Sequence, residues 1–289
     1  MSTANWKKVL IDFGLTESEK KRLDQLQIHL NSAGFDDWGL DPDTLKAALA
    51  ACRWIYTDYF RVETVGLENI PKGRVLMISN HGGQLPVDGL LIGMSMLLES
   101  EPARLVRGMM ERWIPSLPFV STFFTRCGQM VGDSRNCREL LDRDEAVLVF
   151  PEGVRGSGKT FFHRYQLQRF GTGFVRLALE SKAPIVPVAV IGCEEAYPSV
   201  FNFKALAKLI RAPYIPVTPL FPFLGPIGAL PLPTKVTIRY GSPLLFEGDP
   251  DAPEAEVEAM VDQVKAAIQM EIDQGLAKRG DHIFTGAAT

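Results

Sequence analysis

Val75-Leu-Met-Ile-Ser-Asn-His-Gly-Gly-Gln-Leu-Pro-Val-Asp88 is the stretch that decides the fold. Val75–Ser79 is a short, almost wholly apolar run, and it reads as a strand buried on both faces. Gly82, Gly83 and Pro86 then interrupt it, and Pro86 stands where a first helical turn can begin. Residues 86–99 read as a helix. A buried strand, a glycine-bearing turn and a helix are the first half of a βαβ unit, whose strands run parallel.

Outward from this stretch the alternation repeats. Residues 104–107 and 129–131 read as weak strands, and 146–150, 185–191 and 235–240 as firmer ones. Residues 134–141, 173–181 and 204–210 read as helices. Val257, Met260, Val261, Val264, Ile268 and Ile272 recur at helical spacing. The expected fold is α/β: a largely parallel mixed sheet flanked by helices over residues 61–289. Residues 1–60 form a helical preface to it. Thr16 and Glu19 match a capping box before Leu23, Leu26 and Leu30, with Gly34 as a stop. Asp41 and Pro42 open a second helix carrying Leu45, Ala48, Leu49, Cys52, Tyr56 and Tyr59 on one face. That helix either packs on the core or turns Trp54, Ile55 and Phe60 to a lipid surface.

Composition narrows the function. Of 289 residues 46% are apolar and 22% charged, which is globular usage. The formal charge is −3, without the basic excess of a duplex-binding protein, so no nucleic-acid partner is expected. Cys52, Cys127, Cys137 and Cys193 include no CxxC, and the four histidines lie at 29, 81, 163 and 282. No metal site is expected, and the thiols fit a reducing cytosol. The residues after Met1–Lys8 are mixed polar ones, so no signal peptide is expected. The longest uncharged run, 212–234, contains seven prolines. It cannot be a membrane-spanning helix, but an apolar irregular segment of this kind leaves surface attachment open.

Two constellations carry chemistry. His81 follows the first strand, at the carboxyl end where open α/β sheets place their sites. Asp88 lies seven residues on, about 10 Å away along a helix axis if the stretch were helical. The glycines and Pro86 argue for a turn instead, which lets the Asp88 carboxylate meet one imidazole nitrogen and leaves the other as a base. The plainer reading is a turn histidine beside a capping aspartate. Phe150-Pro-Glu-Gly-Val-Arg155 ends a second strand. Glu152 and Arg155 offer an acceptor and a fork of donors, and Gly153 lets the backbone turn; a surface salt bridge is the plainer alternative.

A third match misleads. Residues 153–160, Gly-Val-Arg-Gly-Ser-Gly-Lys-Thr, fit the phosphate-loop pattern GxxxxGK[ST] after a strand. No later apolar strand ends in an aspartate for magnesium, and the following Phe-Phe-His-Arg-Tyr opens a helix poorly. A cysteine–histidine hydrolase is a further alternative, with no histidine near any cysteine in sequence.

Taken in order, Asn80-His81 with Asp88, Phe150–Arg155, and Val186-Pro187-Val188 resemble three blocks of the glycerolipid (lysophospholipid) acyltransferase superfamily. About 70 residues separate His81 from Glu152, and about 35 more lead to Pro187. Gly66–Pro71 and the late strand with Gly241-Ser-Pro243 extend the likeness to roughly residues 55–246. The usual His-x4-Asp spacing is widened here. His-Gly-x-x-Pro-x-Asp resembles a variant branch that includes diacylglycerol-acyltransferase-like proteins, with Asp88 in the aspartate role.

The resemblance implies acyl transfer from acyl-coenzyme A or acyl carrier protein to a hydroxyl of a glycerolipid or lysophospholipid, without metal or bound cofactor. It implies His81 and Asp88 as the catalytic pair, with Glu152, Gly153 and Arg155 seating the acceptor. Arg135 is the candidate for reading a phosphate, with Arg126 as competitor. Backbone N–H groups near Gly82 and Gly83 are candidate oxyanion donors. The expected location is cytoplasmic, peripheral on the cytoplasmic face of a membrane, with 212–234 as an acyl-tunnel rim or bilayer contact. A thioesterase or lipid hydrolase using the same pair, or a non-catalytic lipid-binding module, are the alternatives.

Overall fold

A computed structural model describes residues 3–83, 85–202 and 216–285. In chain order the strands used here are β1 Glu63–Val65, β2 Val75–Ser79, β3 Val106–Met110, β4 Met130–Val131, β5 Ala146–Val149, β6 Ile185–Ile191, β7 Phe201–Asn202, β8 Pro216–Val217 and β9 Thr237–Tyr240. The helices are α1 Thr3–Gly14, α2 Glu17–Asp24, α3 Pro42–Trp54, α4 Val87–Leu98, α5 Val120–Arg126, α6 Ser134–Asp142, α7 Val154–Ser157, α8 Gly173–Ser181, α9 Cys193–Ala196 and α10 Glu254–Arg279.

A seven-stranded sheet runs in the order β1-β9-β6-β2-β5-β3-β4. All its pairings are parallel except β6 with β9. This is the expected largely parallel mixed sheet flanked by helices. β2 lies at its centre, with Met77 opposite Leu148 of β5 on one side and Val186 of β6 on the other. Every residue of β2 and β6 is buried. The period of two still sorts them. Val75 and Met77 face a core with α3 and α4, while Leu76 and Ile78 face one with α6, α8 and α10.

The preface belongs to the first of these cores. Leu15, Leu23, Leu40, Leu45, Leu49, Tyr56 and Phe60 are buried with Leu91 and Ile92 of α4. The helix opened by Asp41 packs on the core as the plainer reading has it, with a local departure. It passes into a π-helical turn over Ile55–Tyr59, closed by Phe60 N–H to the Ile55 carbonyl. That shift of phase brings Tyr56 and Phe60 inward together and leaves Trp54 exposed.

The capping box at Thr16 forms, but its helix stops at Asp24 instead of running past Leu30. The Asn31 side-chain oxygen accepts the Ala33 and Phe35 N–H groups, a local turn that competes with helix. Leu26 and Ile28 reach the core from irregular chain. The strand expected at 104–107 lies at Val106–Met110, and Asp133, not Ser134, caps α6. The helix expected over 204–210 and the first residues of the 212–234 run lie outside the described residues. The rest of that run is irregular apart from β8, which pairs antiparallel with β7, and a short 3-10 turn.

Candidate active site

Three neighbouring strands, β6, β2 and β5, deliver the site from their carboxyl ends. Asn80 comes first. Its buried side-chain amide donates to the Val190 carbonyl and accepts the Val190 N–H, as another strand residue would. This extends the β2–β6 ladder by one rung and fixes the direction in which the chain leaves β2. His81 then stands over the end of the sheet, its ring stacked on Phe150 with centroids 4.5 Å apart.

The chain is not helical at residues 81–83, as the glycines require, and α4 begins at Val87 with Pro86 as its N-cap residue. Asp88, in the first turn, is 0% exposed and folds back onto the histidine. Its Oδ2 lies 2.6 Å from His81 Nδ1 and accepts the Gly82 N–H at 2.9 Å; Oδ1 accepts the Gly89 N–H. A short helix start thus closes a pair that a continuous helix would hold apart. Burial disfavours the imidazolium. The charge of Asp88 and its hydrogen bond outweigh that, and the His81 pKa is raised above its ordinary value. With Nδ1 held by Asp88, Nε2 has no partner among the described residues.

Glu152 lies in the turn after β5 and is 3% exposed. Its Oε1 accepts the backbone N–H of His81 at 2.9 Å, and Oε2 accepts the N–H of Gln168 at 2.8 Å. Glu152, expected to seat an acceptor, has both carboxylate oxygens on backbone N–H groups, where the loops from β2 and β5 meet. Gly153 adopts φ +52° and ψ −146°, open in practice to glycine alone, and makes the turn into α7. Gly156, in α7, lies against both partners: a Cβ there would stand 2.7 Å from Glu152 Cβ and 2.9 Å from His81 Cβ.

The arginines stand apart from this cluster. Arg155 and Arg135 are exposed, and neither side chain has an ion-pair partner among the described residues. Arg126 is engaged elsewhere, over the Phe35 ring at 3.9 Å and donating to the Gly39 carbonyl. The Gly82 N–H, a candidate oxyanion donor, is taken by Asp88, which leaves that of Gly83.

The phosphate-loop match has another outcome. Lys159 does not point to an open anion site. Its Nζ lies 2.9 Å from Glu194 Oε1 and 3.3 Å from Glu152 Oε2, with the side chain 4% exposed. Cysteine nucleophiles are equally unsupported: burial pushes Cys127 up to about 12 and Cys137 to about 11, and raises Cys52 and Cys193 as well. Among the described residues no group of three or more His, Cys, Asp or Glu is placed to hold a metal.

An apolar cavity of about 260 Å³ lies between α3, α4 and α5; neither His81 nor Asp88 lines it. Pro86, Val87 and Gly89, which flank Asp88, form one wall; Leu49, Met94 and Phe124 are among the others. Sequence reasoning missed Lys159 and Glu194 as members of the site. Lys159 was masked by the phosphate-loop pattern. For Glu194 the available signal was an acidic pair, Glu194-Glu195, just past the end of a central strand.

The acyltransferase family model matches residues 61–191, which span β2, β5, β6 and every residue of the His81 cluster except Glu194. An uncharacterized protein of Mycobacterium tuberculosis is 40% identical over 256 residues, covering 86% of this chain and 71% of that protein. The chain belongs to the acyltransferase family that this model describes. A second uncharacterized relative, from Mycobacterium leprae, is also 40% identical over 256 residues, covering 86% of this chain and 70% of that protein. A chicken (Gallus gallus) protein described as a DGAT1/2-independent enzyme synthesizing storage lipids is 25% identical over 210 residues, covering 72% of this chain and 58% of that one. The crystal structure of the 1-acyl-sn-glycerophosphate acyltransferase PlsC from Thermotoga maritima matches with a TM-score of 0.48 at 17% identity, covering 79% of this chain and 81% of that one. This chain thus carries an acyltransferase domain, and no helix among its described residues is long and apolar enough to cross a membrane.

Proposed function

We propose that this acyltransferase moves a fatty acyl group from an acyl thioester, acyl-coenzyme A or acyl carrier protein, to a hydroxyl of a glycerolipid or lysophospholipid. His81 is the general base. The observation that carries the reading is the His81 Nδ1–Asp88 contact of 2.6 Å, with Nε2 unpartnered among the described residues.

The chemistry follows from the geometry. Nε2 takes the proton of the acceptor hydroxyl as its oxygen attacks the thioester carbonyl. Asp88 fixes the ring and favours the imidazolium that forms. The tetrahedral intermediate expels the thiolate, and the imidazolium returns its proton to that sulfur. The ester forms, the thioester breaks and His81 ends neutral. The Gly83 N–H is the oxyanion donor this reading favours. Glu152 acts by holding His81, Gly153 by shaping the turn beneath it, and Arg155 and Arg135 as surface cations open to an anionic headgroup or donor.

The cavity takes the acyl chain, where each buried CH₂ is worth about 0.8 kcal/mol. Leu90 and Phe123 line it and are also exposed, and Trp113, Leu117 and Phe119 are exposed in the segment leading into α5. Phe223, Leu224, Ile227 and Leu230 are exposed in the proline-rich segment. Side chains of this kind suit peripheral contact with a bilayer, on its cytoplasmic face, from which a lipid acceptor is drawn.

A thiol-release assay tests the reading. The protein receives acyl-coenzyme A or acyl carrier protein donors with glycerol 3-phosphate, lysophosphatidate, other lysophospholipids, monoacylglycerol or diacylglycerol. Acceptor-dependent release that is lost in His81→Ala is the expected result. Release without any acceptor identifies a thioesterase, and silence with both donor types identifies a lipid-binding module.

A further inference from the structure

The lysine of the phosphate-loop pattern is buried in an enclosed charge cluster. Two carboxylates and one ammonium meet there: Glu152 from the turn after β5, Lys159 from the loop after α7, and Glu194 from α9. The three side chains are 0%, 4% and 4% exposed. Each remaining carboxylate oxygen is used. Glu152 Oε1 accepts the His81 N–H, Glu152 Oε2 also accepts the Gln168 N–H, and Glu194 Oε2 accepts the Tyr165 N–H. Glu194 packs directly on the turn after His81, since a Cβ on Gly82 would stand 2.6 Å from Glu194 Cγ. The cluster thus joins the loops following β2, β5 and β6, and the peptide of His81 hangs from one end of it.

An unpaired buried charge is costly. Lys159 is the cation set between the two carboxylates, in reach of both. The charged groups that bear on His81 are Asp88 from α4, Glu152 and Lys159. Among them Lys159 is the one cation, and Glu152 the group that touches the His81 backbone.

We propose that Lys159 is a positioning residue for His81: by tying Glu152 to Glu194 it fixes the His81 peptide, and through it the alignment of the imidazole with Asp88. The role rests on the proposed general-base function of His81, but its geometry can be read without any substrate.

The experiment uses the full chain and Lys159→Met. The first readout is the downfield proton resonance expected for His81 Nδ1–H on Asp88, assigned by its loss in His81→Gln. In Lys159→Met it is expected to broaden or shift while the protein still melts cooperatively. The second readout is acyl transfer, where kcat is expected to fall at least about tenfold with KM for donor and acceptor changed less than about twofold. Should Lys159→Met fail to fold, Lys159→Met with Glu194→Gln keeps the buried net charge at one negative and is expected to show the same two changes. A folded variant with the parent's resonance and kcat overturns the proposal. A changed resonance in a protein that transfers no acyl group upholds Lys159 in this role and removes the acyl-transfer reading instead.

Discussion

At the scale of single residues, the His81–Asp88 pair ties activity and stability to pH with opposite signs. The His81 pKa is raised above 6.5. General-base catalysis needs the neutral imidazole, so activity should fall as pH drops through that raised value. Stability runs the other way. A histidine whose folded pKa is raised contributes fully below its unfolded pKa, and the contribution is lost as pH rises through the folded one. Asp88→Asn should lower kcat by about 10²–10⁴-fold, the usual worth of a positioned acid–base group. Its melting-temperature deficit against the parent should be larger below 6.5 than well above the raised pKa. Melts of both proteins across that range check the second point; a deficit that grows with pH contradicts the charged-pair account.

At the scale of elements, the site depends on close approach between loops, and Gly156 tests that dependence. A methyl there meets Glu152 Cβ at 2.7 Å and His81 Cβ at 2.9 Å, and both atoms are fixed to backbone rather than at the end of a flexible chain. Overpacking of this kind costs about 1–3 kcal/mol. Gly156→Ala should therefore lower the melting temperature and kcat together. Gly171→Ala, with nothing within 4 Å of the added methyl, should change neither. The same closeness explains what sequence could yield. Strands β2 and β6 and helix α8 are legible to the residue because apolar runs with sharp ends carry their own boundaries. His81 and Asp88 are legible as partners because the turn between them is written in Gly82, Gly83 and Pro86. The direction Glu152 faces is not, because it depends on a peptide about 70 residues away. Nor is Lys159, whose partners come from two other loops and whose local sequence imitates a different motif.

At the scale of the whole molecule, the helical preface is built into one of the two cores. Leu15, Leu23, Leu40, Leu45, Leu49, Tyr56 and Phe60 are buried against α4 and one face of the sheet, and α4 carries Asp88. The preface also supplies Asp36, whose carboxylate lies 2.7 Å from Arg107, a guanidinium only 2% exposed near the start of β3. Removing residues 1–60 would uncover that apolar face and leave Arg107 with Glu145 as its one carboxylate partner among the described residues. Burying a single Leu- or Phe-sized side chain is worth about 1.5–3 kcal/mol, against a total stability of about 5–15 kcal/mol. Seven such side chains exceed what the remaining chain can lose. A protein beginning at residue 61, although it contains every member of the His81 cluster, should aggregate or lack a cooperative melt. Asp36→Asn in the full chain should fold with a lowered melting temperature and an unchanged KM. Size-exclusion chromatography and thermal melts of both proteins decide the matter: a soluble, cooperatively melting 61–289 would make the helices an attachment to a domain complete without them.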